Sequence, residues 1–543
     1  MKRRWKVLAG FALLAGAGYV ALQKYAIYLP GLAGAWKRPV AENHPVVWAK
    51  GPATPAVGKR PPNVILIVAD DLGMNDISLC GGGVAGGAVP TPNIDAIAAQ
   101  GVSFTNGYAA NATCSPSRAA LMTGRYPTRY GFEFTAVPGS FAGFLAHDGG
   151  PSPYPPIYHK ELNRDLPAYE DMGVPNAEIM LGEVLQERGY HTVHIGKWHL
   201  GEAPPLWPTS QGFNESLGLL AGGGMFLPAG DQRGIDARLA WDPIDKFLWA
   251  NLPYSVSFGN DQRFEPKGHL TDYFTDNAVA AIEANKNRPF FLYLAYNAPH
   301  TPLQATKADY DALPQIKDHT QRTYGAMIRQ LDRRIGDVLQ ALENNGLEQN
   351  TLVVFTSDNG GAWYTGIPDL NQPYRGWKGT FFEGGIHVPL LMRWPGRIAP
   401  GTVRTDTASG LDMFATIAAA TGARMPADRT MDSDDLLAAN TRRTATFWRS
   451  GDYRVVRDGD WKLQVSKRPA KLWLFNLATD PTERVNLAAN EPQQVARLSA
   501  LIEAQNRGLP KPLWPGLLEG AIRIDVPLNA PWKSDQEYVY WAN

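Results

Sequence analysis

The sequence predicts an α/β protein: a large mixed, mostly parallel β-sheet flanked by helices, followed by a smaller α+β subdomain with a short antiparallel sheet. Three observations predict this fold. Several strand-like segments are apolar along their whole length, they alternate with helical patterns, and each ends in polar residues. Strands of this kind belong in a sheet that is covered on both faces. Their alternation with helices indicates that the sheet is largely parallel.

The main sheet is predicted from apolar runs that each end in charged or amide side chains. Helices are expected between these runs, because apolar residues there recur at spacings of three and four. The strand segments are "NVILIVADD" (63–71), "HTVHIGKWH" (191–199), "PFFLYLAYNAPH" (289–300) and "TLVVFTSDNG" (351–360), and the predicted helices cover 92–100, 176–188, 272–286 and 320–345.

The N-terminus is predicted to be a signal peptide or an N-terminal membrane anchor, covering residues 1–34. A basic lead, "MKRRWK", precedes sixteen uncharged residues at 7–22. This length is close to the boundary between a signal-peptide core and a membrane span, and a buried helix is a third alternative. With the basic end left in the cytoplasm, the body would be exported, periplasmic or otherwise extracytoplasmic.

The rest of the chain is predicted to form a linker and two folded units. Residues 35–61 are rich in proline and are expected to be a flexible tether. Residues 62–440 would form the catalytic domain and residues 441–543 the C-terminal subdomain. Within the subdomain, short antiparallel strands are expected at 453–457, 461–465 and 472–477, with a closing helix at 491–508.

Charge and cysteine content restrict the possible functions. The chain has 52 Lys and Arg against 52 Asp and Glu, so its net charge is about zero. This balance argues against a nucleic-acid partner. The only cysteines are Cys80 and Cys114. In an oxidising compartment they could form one disulfide, or they could be two buried thiols.

Polar residues at the ends of the predicted strands indicate an active site. In open α/β sheets, ligands bind at the carboxyl ends of parallel strands. Each residue alone could be an ordinary turn or loop residue, but that explanation must apply four times at the same edge. The residues concerned are Asp70, Asp71, Lys197, His199, His300, Asp358 and Asn359.

The residue types favour a cation and an oxyanion ester. Carboxylate and amide oxygens suit Ca²⁺ and, less readily, Mg²⁺, whereas zinc favours histidine and cysteine. Basic residues could bind the anion, and histidines could act as acid and base. A pocket for a sulfate or phosphate ester follows from this combination. The candidates are Asp70, Asp71, Asp358 and Asn359 for the metal, Arg118, Lys197 and Lys378 for the anion, and His199 and His300 for proton transfer.

Cys114 stands at the start of a predicted helix in "NATCSPSRAALMTGRYP" (111–127). Pro116 suits a first helical turn, and Gly124 can end the helix. The N–H groups of a helix N-terminus would point at a bound anion. A plain thiolate, however, is a poor choice beside a hard metal ion and a sulfate ester.

These motifs resemble those of the formylglycine-dependent sulfatases of the alkaline phosphatase superfamily. Cys114-Ser-Pro-Ser-Arg118 followed by Thr123-Gly124 resembles the first family signature. The segment from Gly189 to His199, "GYHTVHIGKWH", resembles the second. The resemblance extends from about residue 62 to about residue 505. It covers the strand ends already described, the Lys378 segment "WKGTFFEGGIHVPLLMRWPG" and the C-terminal strands.

The resemblance implies a chemistry for these residues. A maturation enzyme would oxidise Cys114 to formylglycine (3-oxoalanine), whose hydrate carries two hydroxyls. One hydroxyl would attack sulfur, and the other would expel sulfate. The resemblance implies that Arg118 and Lys197 bind the nucleophile and the sulfate group. His199 would act as the base for sulfate release, and His300 and Lys378 would assist departure of the alcohol. The implied metal ligands are Asp70, Asp71, Asp358, Asn359 and modified Cys114.

The expected substrate is an aryl or carbohydrate sulfate ester, as a small molecule or a glycan. Aromatic residues of the insert 201–268 could stack on an aryl ring or a sugar, although core packing accounts for at least half of them. Two alternatives are compatible with the sequence. One is a phosphomonoester or phosphonate monoester hydrolase on the same scaffold. The other is a non-catalytic, membrane-tethered binder of sulfated glycans.

Overall fold

A computed structural model describes residues 25–55, 58, 60–148, 152–259, 262–438 and 443–543. The strands are β1 Asn63–Ala69, β2 Val102–Tyr108, β3 Ile157–Tyr158, β4 His191–Lys197, β5 Glu215–Leu219, β6 Gly234–Ala237, β7 Ser257–Phe258, β8 Phe290–Ala295, β9 Leu303–Thr306, β10 Thr351–Ser357, β11 Leu390–Arg393, β12 Thr402–Ser409, β13 Ala445–Ser450, β14 Tyr453–Asp458, β15 Trp461–Lys467, β16 Ala470–Asn476, β17 Leu518–Arg523 and β18 Tyr538–Ala542.

The α-helices have the following bounds. They are α1 Leu29–Lys37, α2 Ser78–Gly81, α3 Val84–Gly87, α4 Pro92–Ala99, α5 Cys114–Thr123, α6 Gly139–Asp148, α7 Leu181–Glu187, α8 Pro243–Asn251, α9 Leu270–Asn285, α10 Lys307–Asp311, α11 His319–Asn344, α12 Glu383–Ile386, α13 Met413–Thr421 and α14 Pro492–Asn506.

The main sheet has nine strands in the order β12-β2-β11-β10-β1-β8-β4-β5-β7. The four strands predicted from the sequence are neighbours in it, and all pair in parallel. Their registers are aligned, because Ala69 lies opposite Ser357, and Ala295 lies opposite both Val68 and Gly196. The sheet is mixed, since β11 and β7 are antiparallel to their neighbours. The predicted fold class is confirmed, and the carboxyl ends of the four strands meet at one edge.

Both faces of this sheet are covered, as the apolar strands predict. Alternate residues of β1 belong to different hydrophobic clusters: Ile65 and Ile67 pack in one, and Val64, Leu66 and Val68 in the other. The first cluster includes apolar residues of α4, α9 and α11, and the second includes those of α5, α7 and α13. Burial on both faces therefore explains why the strand has no polar side.

Three of the four predicted helices match α4, α9 and α11 to within two residues. The fourth, predicted for 176–188, begins only at Leu181. The Glu183 carboxylate accepts a hydrogen bond from the backbone N–H of Met180 (2.7 Å), which satisfies a donor at the start of α7.

The C-terminal part contains the predicted antiparallel strands. They form β14, β15 and β16, and β13 adds a fourth strand that was not predicted from the sequence. The predicted closing helix is α14, and Leu498 and Ile502 pack it on this sheet. A further sheet, β18-β17-β3, joins the chain end to residues near 157, a long-range pairing without a local signal. The division into domains at residue 440 stays a prediction.

The N-terminal segment is only partly described, because residues 1–24 lie outside the described ranges. Within those ranges no helix combines the length and the apolar character needed to cross a membrane. Residues 38–51, predicted as part of a flexible tether, instead contact the main domain. Ala41 N–H donates to the Arg263 carbonyl (2.7 Å), Gly51 N–H donates to the Ala284 carbonyl (2.8 Å), and Trp48 is only 5% exposed. Burial of this tryptophan side chain holds the segment in place.

Candidate active site

The structure brings all the predicted site residues together in one buried cluster. Six of them lie at the carboxyl edge of the four adjacent strands: Asp70 and Asp71 follow β1, Lys197 ends β4, His300 follows β8, and Asp358 and Asn359 follow β10. Cys114 and Arg118 come from α5, and His199 and Lys378 come from loops. All are buried. The placement predicted from the sequence is therefore observed, whereas the chemical roles remain proposals.

The carboxylates and cations form interlocking ion pairs. Lys197 Nζ donates to Asp70 Oδ2 (2.6 Å), and Arg118 Nε donates to Asp358 Oδ2 (2.8 Å). Lys378 Nζ lies 2.7 Å from Asp71 Oδ1. Arg118 also donates to the backbone carbonyl of Lys197 at 3.0 Å, which links α5 to the end of β4. Buried charges need such partners, because burial without them is costly.

Two carboxyl groups have opposite pKa shifts for identifiable reasons. Burial and the neighbouring charge of Asp70 raise the pKa of Asp358 to about 7. The pKa of Asp70 lies well below its usual range: burial acts against ionisation, but Lys197, His300 and Arg118 outweigh it. Crowded carboxylates of this kind ionise together only when further positive charge is supplied.

Cys114 is the first residue of α5, and its Sγ lies 3.5 Å from Asp70 Oδ1 and 3.8 Å from Asp71 Oδ1. Burial raises the pKa of this thiol well above its ordinary value. A thiol that stays protonated is a weak nucleophile. Cys80 and Cys114 are both free, so the disulfide considered from the sequence is absent. Cys80 packs against the core as a small apolar residue.

The donor set fits a hard divalent cation. Ligand atoms of Asp70, Asp71, Cys114 and His300 all lie within 4.8 Å of one another. The side-chain oxygen of Asn359 is buried and has no hydrogen-bond partner among the described residues, while its amide nitrogen donates to Asp71 Oδ1 (2.8 Å). A buried oxygen without a partner, on a residue that contacts Asp71, is one that a divalent cation would satisfy.

His300 faces Lys378. Its Nδ1 lies 2.6 Å from the Thr301 carbonyl oxygen and therefore carries the proton. Its Nε2 then accepts from Lys378 Nζ at 3.2 Å. Burial and the charge of Lys378 lower the pKa of His300 to about 4, so the ring is neutral near pH 7. The pair thus combines a neutral imidazole with an ammonium group.

His199 has one ring nitrogen available as a proton acceptor. Its Nε2 donates to the Ala136 carbonyl (3.1 Å), whereas the buried Nδ1 has no partner in the described part of the chain. Burial and the charge of Lys197 hold the pKa of this imidazole well below its usual range. The ring also occupies space beside Gly222, where a Cβ atom would lie 2.6 Å from His199 Cε1.

Tyr364, which was not predicted from the sequence, is buried and directly contacts this cluster. Its hydroxyl donates to Asp71 Oδ2 (2.9 Å) and accepts from Lys378 Nζ (3.2 Å). The only available signal was its position five residues after Asn359. Trp241 lies next to it: the indole N–H donates to the Tyr364 carbonyl (3.0 Å), and the side chain is partly exposed. Other aromatic residues of the insert, Phe213 and Phe226, are core residues.

The fold and the site together define a class of protein. Carboxylate and amide oxygens, three buried cations and two neutral histidines converge at the carboxyl edge of a mostly parallel sheet. This is the arrangement of an alkaline phosphatase-like hydrolase that acts on a tetrahedral oxyanion ester.

Comparisons with known proteins identify the family within this class. The family model described as Sulfatase matches residues 62–423. A second family model, described as N-sulphoglucosamine sulphohydrolase, C-terminal, matches residues 376–507. The chain belongs to the sulfatase family, the sulfuric ester hydrolases of the alkaline phosphatase superfamily.

Individual relatives and solved structures agree with this assignment. N-acetylgalactosamine-6-sulfatase from Mus musculus is 33% identical over 427 residues, which cover 77% of this chain and 73% of the relative. Steryl-sulfatase from Mus musculus is 32% identical over 454 residues, 72% of this chain and 67% of the relative. The structure of Ps i-CgsB in complex with k-i-k-neocarrahexaose is 31% identical, with a TM-score of 0.70 over 84% of this chain and 95% of that one.

Proposed function

We propose that this sulfatase hydrolyses a carbohydrate sulfate ester at the Cys114 site, after Cys114 has been converted to formylglycine. The observation that carries the proposal is the position of Cys114 Sγ, 3.5 Å from Asp70 Oδ1 at the N-terminus of α5, among residues of both sulfatase signatures. The unmodified thiol has a raised pKa and is unsuited to attack on sulfur. Conversion of the thiol to an aldehyde hydrate would replace the protonated sulfur by hydroxyl groups that can attack sulfur.

The metal is proposed to be Ca²⁺, or less readily Mg²⁺, held by Asp70, Asp71, Asp358, Asn359 and the modified side chain of Cys114. When bound, the cation would stabilise negative charge, and the modified side chain would supply the nucleophilic oxygen. Hard oxygen donors and the unsatisfied Asn359 Oδ1 support this choice of metal.

The cations of the site are proposed to bind the sulfate group. Arg118 and Lys197 are fully buried and already ion-paired, so they are fixed in place before the substrate arrives. Charge stabilisation by such preorganised groups requires little rearrangement during reaction. Their hydrogen bonds to Asp358 and Asp70 also hold them close to the Cys114 side chain.

Proton transfer is assigned to Lys378 and His199. Lys378 is protonated, because Asp71 and its neighbours raise its pKa against the effect of burial. It would deliver a proton to the departing alcohol, with His300 Nε2 holding the ammonium in orientation. His199 Nδ1, which has no other partner among the described residues, would accept the proton that accompanies sulfate release.

A carbohydrate sulfate is the proposed substrate class. Ps i-CgsB is named in complex with k-i-k-neocarrahexaose, and a relative is named N-acetylgalactosamine-6-sulfatase. In this chain the partly exposed indole of Trp241 lies next to Tyr364, at the edge of the charged cluster. An aromatic face of this kind can stack on a sugar ring. An aryl sulfate remains the second candidate, since another relative is named steryl-sulfatase.

The proposed location is outside the cytoplasm, with the N-terminus anchored in the membrane or cleaved as a signal peptide. The basic lead and apolar run at residues 1–22 support export. Activity would then also require a formylglycine-generating enzyme in the same cell.

Two measurements test the chemistry. The mass of the proteolytic peptide containing Cys114 should show the loss expected for an aldehyde in place of a thiol. The active protein should turn over 4-nitrophenyl sulfate much faster than 4-nitrophenyl phosphate. Preference for the phosphate would favour the phosphomonoesterase alternative, and an unmodified Cys114 in fully active protein would refute the proposed nucleophile.

The proposed metal is tested by elemental analysis and by Asp358→Ala. We expect about one Ca²⁺ per active chain. The variant should lose turnover and also some stability, because Asp358 is buried and pairs with the buried Arg118; thermal unfolding establishes that the assayed variant is folded. Asp452→Ala, which removes an exposed carboxylate in the turn after β13, is the matched control and should be fully active. Stoichiometric zinc in active protein would contradict the assignment.

A further inference from the structure

Helix α1 presents an apolar face to the outside of the molecule. Leu29, Leu32, Ala33 and Trp36 follow the three-four spacing of one helix face, and all four are exposed. Leu32 is 65% exposed and Trp36 is 85% exposed. Surface helices normally turn polar residues outward and apolar residues inward. This face, here called the α1 stripe, has the reverse orientation.

The orientation of α1 is held by contacts on its inner side. The Gly31 N–H donates to Asn251 Oδ1 (2.6 Å), and Asn251 Nδ2 donates to the Ile27 carbonyl (3.0 Å). A Cβ atom at position 31 would lie 3.0 Å from Asn251 Cα, so the backbones of α1 and α8 approach closely at this glycine. The α1 stripe is therefore turned outward by packing.

The helix is also joined to the main domain without a free tether. Directly after α1, Arg38 pairs with Glu202 (2.7 Å), and Ala41 and Trp48 then contact the main domain. The α1 stripe therefore has a fixed orientation relative to the catalytic domain, and so would any surface that it binds.

The chain before α1 indicates what covers the stripe. The basic lead and the sixteen-residue apolar run end at residue 22. Gln23 and Lys24 follow, and then come three exposed aromatic residues, Tyr25, Tyr28 and Trp36, and the exposed Lys37. Tyrosine, tryptophan and lysine are typical of the boundary between lipid headgroups and acyl chains. With nine residues, α1 is about 14 Å long, too short to span a bilayer but suited to lying flat in its surface.

We propose that the α1 stripe binds the interface of a lipid bilayer and thereby fixes the catalytic domain against the membrane. The inference goes beyond the proposed reaction and rests only on the proposed extracytoplasmic, membrane-associated location. Apolar patches of this kind on otherwise soluble domains mark interaction surfaces, and the bilayer is the occupant that the preceding apolar run and the flanking basic residues favour.

Docking in this way would hold the active site close to the membrane surface. Helix α8, against which α1 packs, ends at Asn251, and Leu252 follows it. A Cβ atom at Gly223 would lie 3.6 Å from Leu252 Cδ1. Gly222, the preceding residue, lies against the His199 ring. The contacts thus lead from the α1 stripe to the His199 side of the site.

The test uses the full chain reconstituted in vesicles of phosphatidylethanolamine and phosphatidylglycerol. Leu32→Cys and Trp36→Cys introduce labelling positions on the α1 stripe. Val403→Cys is the matched control, because Val403 is 63% exposed on β12 at the edge of the main sheet. Each variant carries an environment-sensitive thiol label, and the unsubstituted chain gives the background from Cys80 and Cys114. Lipids with spin labels near the glycerol backbone or at the bilayer centre serve as quenchers.

In vesicles, we expect the fluorescence of the labels at positions 32 and 36 to shift to the blue. The spin label near the glycerol backbone should quench most of this fluorescence. The label at position 403 should show neither the shift nor the quenching. Three outcomes overturn the proposal. The labels at 32 and 36 could emit as they do in water, or they could be quenched most strongly by the spin label at the bilayer centre. The third outcome is a blue shift that no spin-labelled lipid quenches, which would mean that residues 7–22 or a second copy of the chain covers the α1 stripe. Because the readout needs no turnover, and soluble 4-nitrophenyl sulfate can be assayed on the same samples, failure here is distinguishable from failure of the proposed reaction.

Discussion

At the scale of single residues, the cluster around Cys114 contains equal numbers of carboxyl groups and basic side chains. Among the described residues of the cluster, three carboxylates (Asp70, Asp71, Asp358) face three cations (Lys197, Arg118, Lys378). Both histidines are kept neutral by burial and nearby positive charge. A divalent cation would make this cluster positive, which favours binding of an anionic sulfate ester.

The first prediction concerns the nucleophile. Cys114→Ser supplies one hydroxyl where the aldehyde hydrate supplies two, with little change in volume. Attack on sulfur should remain possible, but release should fail, since a serine sulfate has no second hydroxyl to expel sulfate. We expect at most one product per enzyme and a peptide mass increase from sulfate on the serine. Cys114→Ala should show neither. Repeated turnover by the serine variant at a rate near that of the mature enzyme would refute the mechanism.

The second prediction concerns Tyr364. Tyr364→Phe removes a donor to Asp71 and an acceptor for Lys378. A hydrogen bond to a charged group contributes about 1.5–3 kcal/mol, so we expect kcat to fall by roughly 10- to 100-fold. KM should change little, because the hydroxyl is already hydrogen-bonded to Asp71 and Lys378 and would act by orienting these groups. Tyr374→Phe, which alters a ring packed on His387, is the control. Unchanged kcat, or an equal loss in the control, would show that Tyr364 has no positioning role.

At the scale of elements, the loop after β5 determines where the His199 ring can lie. Gly222 leaves the space that the ring occupies, whereas Gly223 has only an ordinary contact with Leu252. The two neighbouring glycines therefore provide a matched pair of sites: one where a methyl group collides with the proposed base, and one where it does not.

We expect Gly222→Ala to reduce turnover strongly, because the new Cβ would lie 2.6 Å from ring atoms of His199 and displace them. A misplacement of about 1 Å can lower the rate about 100-fold. Gly223→Ala should be nearly fully active. Thermal unfolding of both variants separates displacement of the ring from general destabilisation. Equal activity of the two variants would contradict this account of His199.

At the scale of the whole molecule, a buried charge cluster joins the main domain to the four-stranded sheet. Lys462 Nζ of β15 lies 2.7 Å from Glu383 Oε1 of α12 and 2.9 Å from Glu483 Oε1. Glu483 Oε2 accepts from the Glu383 backbone N–H at 2.6 Å. Burial raises the pKa of Glu483 to about 7, whereas Lys462 and His387 outweigh burial at Glu383 and lower its pKa.

Lys462→Met should destabilise the protein by about 3–5 kcal/mol, because it leaves two buried carboxyl groups without their cation. The change is measured by chemical denaturation followed through tryptophan fluorescence. Lys467→Met removes a lysine that is 70% exposed and paired with Asp452 at the surface. Its effect should stay within about 0.5 kcal/mol. A loss no larger than that of the control would mean that the cluster contributes little to joining the two sheets.

The sequence by itself determined the features of this protein that depend on short-range patterns. Apolar runs of seven residues and three-four spacing reveal strands and helices, because burial on both faces of a sheet or on one face of a helix requires them. Since parallel strands end at a common edge, the residues after β1, β4, β8 and β10 could be assigned to one site without knowing the strand order.

Only the tertiary structure decided what depends on contacts between distant segments. Tyr364 reaches Asp71 across 293 residues of sequence, and Tyr158 of β3 pairs with Leu518 of β17 in the C-terminal part of the chain. The outward orientation of the α1 stripe depends on Asn251, and the position of the His199 ring depends on Gly222. Such contacts have no local sequence signal, because the free energy that fixes them comes from packing and hydrogen bonds between segments that meet only in the folded chain.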